Sequence, residues 1–201
     1  MKLVHILVEG QSEETFIKEV LAQHLYTFDL NLIPIIVKTK KLQKGPQHKG
    51  GLVNYDHLKR DLKDLLQNKA VDKVTTMFDL YALPGNFPKL GEIYQKGVEK
   101  ALELEKALFE DVNHPKLLPY IQVHEFETLL FSDVSKFALD FSEAEVRQLQ
   151  EIAAMFSSPE DINETSEGAP SKRIFSVLGK KYQKTLHGPY CQRYLLGSHT
   201  S

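Results

Sequence analysis

Apolar residues recur along the chain with two spacings that alternate. Some stretches are short continuous apolar runs, which are typical of strands buried on both faces of a sheet. Others repeat an apolar residue every three or four positions, as an amphipathic helix does. The strand-like runs are 3–8, 32–37, 74–78 and 118–123, and the helical repeats between them are 12–25, 58–66 and about 91–112. This alternation predicts an α/β fold with a four-stranded, mainly parallel sheet flanked by helices.

Pro34 indicates the order of the strands. It lies inside the second strand-like run, and a proline cannot donate a hydrogen bond to a neighbouring strand. The second strand is therefore predicted at an edge of the sheet, which gives the strand order 2-1-3-4. Ligands of open parallel sheets bind beyond the carboxyl ends of the strands, where the strand order reverses. The ligand site is thus expected between strands 1 and 3.

The rest of the chain is predicted to be helical with a polar interruption. Ser12 and Ser142 are positioned to cap the helices that follow them, and helical spacing also occurs at 125–131. The stretch after Ser157 is polar and turn-rich, and Gly-Ala-Pro before Ser171 can begin a further helix. We therefore predict an α/β domain over residues 1–156, and a loop with a small, basic, helical appendage over residues 157–201.

The composition narrows the class of protein. The 201 residues carry a formal net charge of −2, which argues against nucleic-acid binding through overall charge. Cys191 is the one cysteine, so neither an internal disulfide nor a CxxC metal site can form. The apolar stretch near the N-terminus is too short for a signal peptide or a membrane span. These features predict a cytoplasmic protein with no membrane partner.

Acidic residues follow three of the predicted strands at one edge of the sheet. They are Glu9 after strand 1, with Glu13 one helical turn later, Asp79 after strand 3, and Glu125 and Glu127 after strand 4. Carboxylates that converge at one edge repel one another unless cations neutralise them, and hard divalent cations prefer oxygen ligands. These five residues therefore predict a Mg²⁺ or Mn²⁺ site. The alternative is that each acid is solvated and is favoured there by the dipole of the following helix.

Four stretches together resemble a known family. They are VEGQSEETF (8–16), MFDLYALPGNFP (77–88), QVHEFETLLFSD (122–133) and APSKRI (169–174). They are similar to the bacterial domain-of-unknown-function 4276 family, which is usually grouped with Toprim (topoisomerase–primase) proteins. The Toprim resemblance covers roughly residues 1–133. It implies a Toprim-like fold that binds Mg²⁺ through a glutamate after the first strand and an Asp-x-Asp after the third.

The Toprim resemblance is incomplete at one position. Tyr81 stands where the second aspartate of Asp-x-Asp would be, unless Glu125 or Glu127 replaces that aspartate. Toprim relatives among the overcoming-lysogenization-defect nucleases resemble the chain in an additional acid one turn after the first, the position of Glu13. The resemblance therefore implies a metal site and leaves its ligand set open.

Two lysine- and arginine-rich segments contain no acid. They are 38–51, directly after strand 2, and 171–184. Such segments suit a phosphate backbone that lies over a metal site, and the first N–H groups of a helix also favour phosphate. The predicted phosphate contacts are Lys40, Lys41, Ser171, Lys172, Arg173 and Lys184. The alternative is a pair of solvated segments with ordinary lysines.

Together these residues predict a metal-dependent phosphodiesterase that acts on DNA or RNA, namely a nuclease of a bacterial defence or repair system. Glu9 and Asp79 would bind metal, Glu9 would also serve as the acid–base, and Lys172 would stabilise developing charge. The alternative is a non-catalytic nucleotide- or nucleic-acid-binding module with a degraded site, and Tyr81 is the main evidence for it. A purely structural subunit of a defence complex is a third possibility.

Three further expectations concern residues near the site and a partner. His124 is expected to be structural, and Tyr81 and Phe87 are expected to pack in the wall of the site and not to stack on a base. The chain lacks the Gly-Lys-Ser/Thr ending of a P-loop. Toprim proteins of this kind resemble modules that work beside an ATPase, so a separately encoded ATPase is a predicted partner. The sequence does not determine the oligomeric state.

Overall fold

The computed structural model describes residues 1–37, 54–162, 168–184 and 186–187, and it has the predicted α/β fold. Its strands are β1 (Lys2–Val8), β2 (Leu30–Ile36), β3 (Lys73–Asp79), β4 (Leu117–Leu118) and β5 (Ile121–Gln122). They form a parallel sheet in the order β2-β1-β3-β4, and β5 also pairs with β3. The predicted strand order is confirmed.

Pro34 lies on the open side of the edge strand β2. The N–H of Val37 donates to the carbonyl of Val8 at 3.0 Å, so the odd-numbered residues of β2 direct their backbone groups toward β1. The even-numbered residues, which include Pro34, direct theirs away from the sheet. The missing N–H of Pro34 therefore costs no hydrogen bond within the sheet, and it also makes this edge a poor template for another strand.

Helices flank the sheet. After β1, α1 (Gln11–Phe16), a π-helical segment (Ile17–Leu21) and α2 (Ala22–Tyr26) follow one another without a break and pack against β2. Leucines of α3 (Tyr55–Leu66) and α4 (Gly97–Val112) are buried with Leu7, Val74 and Phe78 of the sheet in one cluster. This cluster is the core of the α/β part of the chain.

Two predicted helix starts are wrong. The first helix begins at Gln11, with Gly10 at the N-cap position and no side-chain cap, so Ser12 lies buried in the first turn. The third helix begins at Gly97 and not near residue 91. Residues 80–96 form a short 3-10 turn (Leu80–Ala82) and a loop, because Asn86 accepts the Tyr55 N–H at 2.9 Å and ties this loop to the start of α3.

The fourth predicted strand, at 118–123, is divided into β4 and β5. The Thr76 hydroxyl donates to the Tyr120 carbonyl at 2.8 Å and accepts the Tyr120 N–H at 2.9 Å, so a side chain replaces the backbone pairing here. Pro119, just before Tyr120, has no N–H to offer. The Glu105 carboxylate on α4 then accepts the Ile121 N–H at 2.8 Å. These side-chain bonds satisfy backbone groups that a continuous strand would pair.

The chain divides into two compact units, Met1–Val123 and His124–Ser201. The second contains α5 (Glu143–Ala153), α6 (Pro170–Leu178) and 3-10 segments at Phe126–Ser132, Val134–Leu139, Pro159–Asp161 and Gly179–Lys181. Leu149 of α5 and Ile174 of α6 share one buried cluster. The predicted division at residue 157 differs from this one, because helical periodicity locates a helix without showing which core it joins.

The structure agrees with two predictions for the second unit. Ser142 caps α5 in a capping box with Glu145, and a helix begins beside Ser171.

In the part of the chain that the structure describes, no helix is both long and apolar enough to cross a membrane.

Candidate functional site

Glu9 and Asp79 lie in direct contact at the carboxyl ends of β1 and β3. The Asp79 N–H donates to Glu9 Oε1 at 3.0 Å, although the two residues are 70 positions apart in the chain. Asp79 is the last residue of β3 and is buried, and Glu9 is the first residue after β1 and is partly buried. The structure thus brings two predicted site residues together at the point where the strand order reverses.

Glu13 is held in the turn that follows Glu9. Its side chain is buried, and a Cβ atom added to Gly10 would lie only 3.3 Å from Glu13 Oε2. The backbone at Gly10 is extended, with φ of −153°, and any residue can adopt this conformation. A side chain at position 10 is therefore disfavoured by the Glu13 carboxylate and not by the backbone. We call Glu9, Glu13 and Asp79 the acidic rim.

Gly10→Ala should weaken Mn²⁺ binding by about tenfold, because the new Cβ displaces the Glu13 carboxylate and disturbing a ligand's surroundings costs about 10- to 100-fold in affinity. The free energy of unfolding should change by less than about 1 kcal/mol, since alanine fits this backbone. Calorimetric titration with Mn²⁺ measures the first effect and urea denaturation the second. The matched control is Gly91→Ala, where the added Cβ meets no atom within 4 Å. If both variants bind Mn²⁺ like the wild type, Glu13 has no part in the site.

The acidic rim suits a cation that is only partly held by protein. Among residues 1–37, 54–162, 168–184 and 186–187, no three or more His, Cys, Asp and Glu side chains form a group that could hold a metal ion. Glu9 and Asp79 are nevertheless adjacent, since Glu9 Oε1 accepts the Asp79 backbone N–H, and each residue carries a carboxylate. Mg²⁺ commonly binds to one or two carboxylates and completes its shell with water and substrate phosphate. The donor chemistry of the acidic rim therefore fits Mg²⁺ or Mn²⁺.

Glu125 binds the start of helix α6. One of its carboxylate oxygens accepts the Ser171 N–H at 2.9 Å, and Pro170 occupies the first position of that helix. A carboxylate is favoured at a helix N-terminus because it meets unpaired N–H groups and the positive end of the helix dipole. Ser171 is a predicted phosphate contact, and its N–H is used in this bond, so two predicted site residues bind each other within the second unit.

Glu127 and Lys184 form a second internal pair. The Glu127 side chain is fully buried, and its Oε2 lies 3.0 Å from Lys184 Nζ. Burial raises the pKa of Glu127, and the Lys184 ammonium offsets part of that rise. Lys184, a predicted phosphate contact, thus pairs with a buried carboxylate of its own unit. Glu127, a predicted metal ligand, is in turn paired with Lys184.

The basic segment 171–184 is largely engaged within the second unit. The Arg173 Nε donates to the Gly168 carbonyl at 2.7 Å, and its guanidinium lies 4.9 Å from the centre of the Phe156 ring. Lys181 pairs with Glu145 at 2.7 Å. Lys172 is exposed and forms no ion pair with the residues that the structure describes, so it is still available for a phosphate. Lys40 and Lys41 lie outside the described residues.

The sequence profile of DUF4276, a domain of unknown function, matches residues 8–193. The chain belongs to the DUF4276 family. The match includes the acidic rim in the first unit and helix α6 in the second, so both units are parts of one family domain. No curated protein and no solved structure matches the chain significantly.

In the structure of this DUF4276 domain, the two aromatic residues after β3 differ in burial. Phe87 is buried and contacts the Tyr55 ring edge-on at 5.3 Å, so its predicted wall packing is confirmed. Tyr81 is 60% exposed, and the same prediction is wrong for it. His5 is buried in mid-strand, and burial lowers its pKa. Sequence reasoning missed Gly10 as the residue that leaves room for Glu13, although the Glu-Gly pair at the strand end was visible.

Proposed function

We propose that this DUF4276 chain is a Mg²⁺- or Mn²⁺-dependent phosphodiesterase that acts on nucleic acid as a nuclease. The observation that carries the proposal is the contact between Glu9 and the Asp79 backbone at the reversal point of the parallel sheet. Two carboxylates at the ligand end of neighbouring strands favour a bound cation, and a cation there can hold a phosphate. The Toprim-like order 2-1-3-4, with a glutamate after strand 1 and an aspartate after strand 3, supports the same proposal.

The proposed metal ligands are Glu9 and Asp79, with Glu13 supporting them from the adjoining turn. A bound Mg²⁺ would supply positive charge to the phosphate. The Asp79 N–H holds the Glu9 carboxylate in place. In hydrolysis, the water oxygen bonds to phosphorus, one P–O bond breaks, and the leaving oxygen gains a proton. We assign Glu9 to accept the proton of the attacking water.

Glu125 and Glu127 are left out of this proposed ligand set. Glu125 caps α6 and Glu127 pairs with Lys184, so each carboxylate already has a structural role in the second unit. Lys172 is retained as a proposed phosphate contact because its side chain is exposed. A contact of this kind would add affinity without sequence preference and would weaken with salt.

The proposal is tested by incubating the purified protein with plasmid DNA and with single-stranded RNA, in Mn²⁺ and in chelator. Cleavage of either substrate in Mn²⁺, and none in chelator, is the expected result. Cleavage that persists in chelator would contradict a metal-dependent site. If no cleavage is seen, the same preparation is titrated with Mn²⁺, with the chelator-treated protein as the control. This titration shows whether the protein fails to bind the metal or binds the metal and fails to cleave.

A second candidate function is nucleic-acid binding without catalysis. Two observations favour it: Tyr81 replaces the second aspartate of the Toprim motif, and the described residues contain no three-ligand group. Metal-dependent binding of either substrate without turnover would support this function over the nuclease. The separately encoded ATPase and the cytoplasmic location stay predictions.

A further inference from the structure

Tyr81 lies next to the acidic rim and is much more exposed to solvent than Leu83 and Phe87, which follow it in the chain. It lies two residues after Asp79, in the 3-10 turn Leu80–Ala82, and 60% of its surface is exposed. Leu83 and Phe87, which follow in the same loop, are both buried in the core cluster. The loop thus buries the side chains of Leu83 and Phe87, whereas the Tyr81 side chain is largely exposed close to Asp79.

We propose that Tyr81 is a stacking platform for a nucleobase, and that the acidic rim therefore binds single-stranded nucleic acid. The inference rests on the proposed function, which places a substrate phosphate at Glu9 and Asp79. Two Cα steps separate Asp79 from Tyr81, a span of at most about 7.6 Å. One nucleotide covers such a span between its phosphate and its base. A phosphate at the rim thus leaves the attached base within reach of the Tyr81 ring.

The strandedness of the substrate follows from the chemistry of stacking. In a duplex both faces of each base are covered by neighbouring bases, so a protein ring cannot reach them without unstacking the helix. In a single strand the faces are open, and stacking on an aromatic side chain is tolerant of sequence because every base has a π-face. Tyr81 should therefore select single strands over duplexes without selecting a sequence.

A ring at this position also changes the charge of the rim. An aspartate there would add a fourth carboxylate to the three of the acidic rim and more repulsion between like charges. Tyrosine instead supplies a rigid apolar surface with few rotatable bonds, which is ordered at low entropic cost. The replacement exchanges a charge for base-binding surface.

The test measures binding of the full-length chain to a labelled single-stranded oligonucleotide and to its duplex by fluorescence anisotropy. Calcium replaces Mn²⁺ so that binding is observed without turnover. Tyr81→Ala should weaken binding to the single strand by roughly 5- to 150-fold, and Tyr81→Phe should bind nearly as the wild type does. Binding to the duplex should be the same in all variants. Tyr94→Ala is the matched control, because Tyr94 is 90% exposed in the loop before α4.

The possible outcomes separate this inference from the proposed function. Single-strand binding that Tyr81→Ala leaves unchanged overturns the stacking role, even if the wild type cleaves in Mn²⁺. An equal loss in Tyr94→Ala, or an equal loss for the duplex, also overturns it. A selective loss in Tyr81→Ala supports stacking even if no cleavage is found, in which case the catalytic proposal alone fails.

Discussion

Lys184→Met should lower the free energy of unfolding by about 1–3 kcal/mol near pH 8, the cost of leaving a buried polar group without its partner; the full cost of breaking a buried ion pair does not apply, because the Lys184 side chain is 37% exposed. Glu127 is fully buried and Lys184 Nζ lies 3.0 Å from its carboxylate, so the variant leaves a buried charge without this cation. Methionine keeps most of the volume of the lysine stem. Urea denaturation at two pH values measures the effect.

The same substitution should have little effect at low pH. Burial raises the pKa of Glu127, so the fold favours the protonated carboxyl, and its charge destabilises the fold once the pH exceeds that pKa. Lys184 offsets this cost only while Glu127 is charged. As the pH falls through the folded-state pKa, Glu127 becomes neutral and the variant should approach the stability of the wild type.

Two further variants control for causes other than the buried charge. Lys181→Met should cost less than about 1 kcal/mol, because its pair with Glu145 is at the surface and Lys181 is 70% exposed. Adding Glu127→Gln to Lys184→Met should recover most of the loss, since the buried charge is then absent. If Lys184→Met costs no more than Lys181→Met near pH 8, the paired, buried state of Glu127 is refuted.

Asp79→Asn and Glu9→Gln should each reduce Mn²⁺-dependent cleavage by at least about 100-fold. Disturbing the surroundings of a metal ligand already costs about 10- to 100-fold, and these substitutions change proposed ligands. Glutamine at position 9 can still accept the Asp79 N–H, so the local geometry should persist. Initial rates of substrate cleavage in Mn²⁺ measure the loss.

The rim variants should remain folded. Each removes one of several neighbouring negative charges at nearly constant volume, so the free energy of unfolding should change by less than about 1 kcal/mol or rise slightly. Glu14→Gln is the matched control, because Glu14 lies in the same helical turn as Glu13 but pairs with Lys18. Activity near the wild-type level in either rim variant, or an equal loss in Glu14→Gln, would contradict the assigned ligands.

The sheet and the acidic rim could be predicted because their causes are local in sequence. Pro34 indicates an edge strand because a proline has no N–H to donate to a neighbouring strand. In the structure, the position of that missing N–H faces the open side of the sheet. Glu9 and Asp79 each end an apolar run, and parallel strands bring such ends to one edge of the sheet. Strand order and strand ends therefore follow from short stretches of sequence.

The contacts of the acidic and basic residues in the second unit could not be predicted in the same way. Lys184 and Glu127 resemble other charged residues in the sequence, and only the packing of the second unit makes one the buried partner of the other. Glu125 likewise meets Ser171 because α6 begins beside it. The net charge of a segment does not show which of its charges are already paired inside the fold.

Calorimetric titration of the full-length protein with Mn²⁺, wild type against Asp79→Asn, tests the central claim most directly. The claim is that Glu9 and Asp79 hold a divalent cation where β1 and β3 end. The wild type should bind Mn²⁺, and Asp79→Asn should lose measurable binding while unfolding at the same urea concentration. Equal Mn²⁺ binding by the two proteins, or none by the wild type, would contradict the metal site.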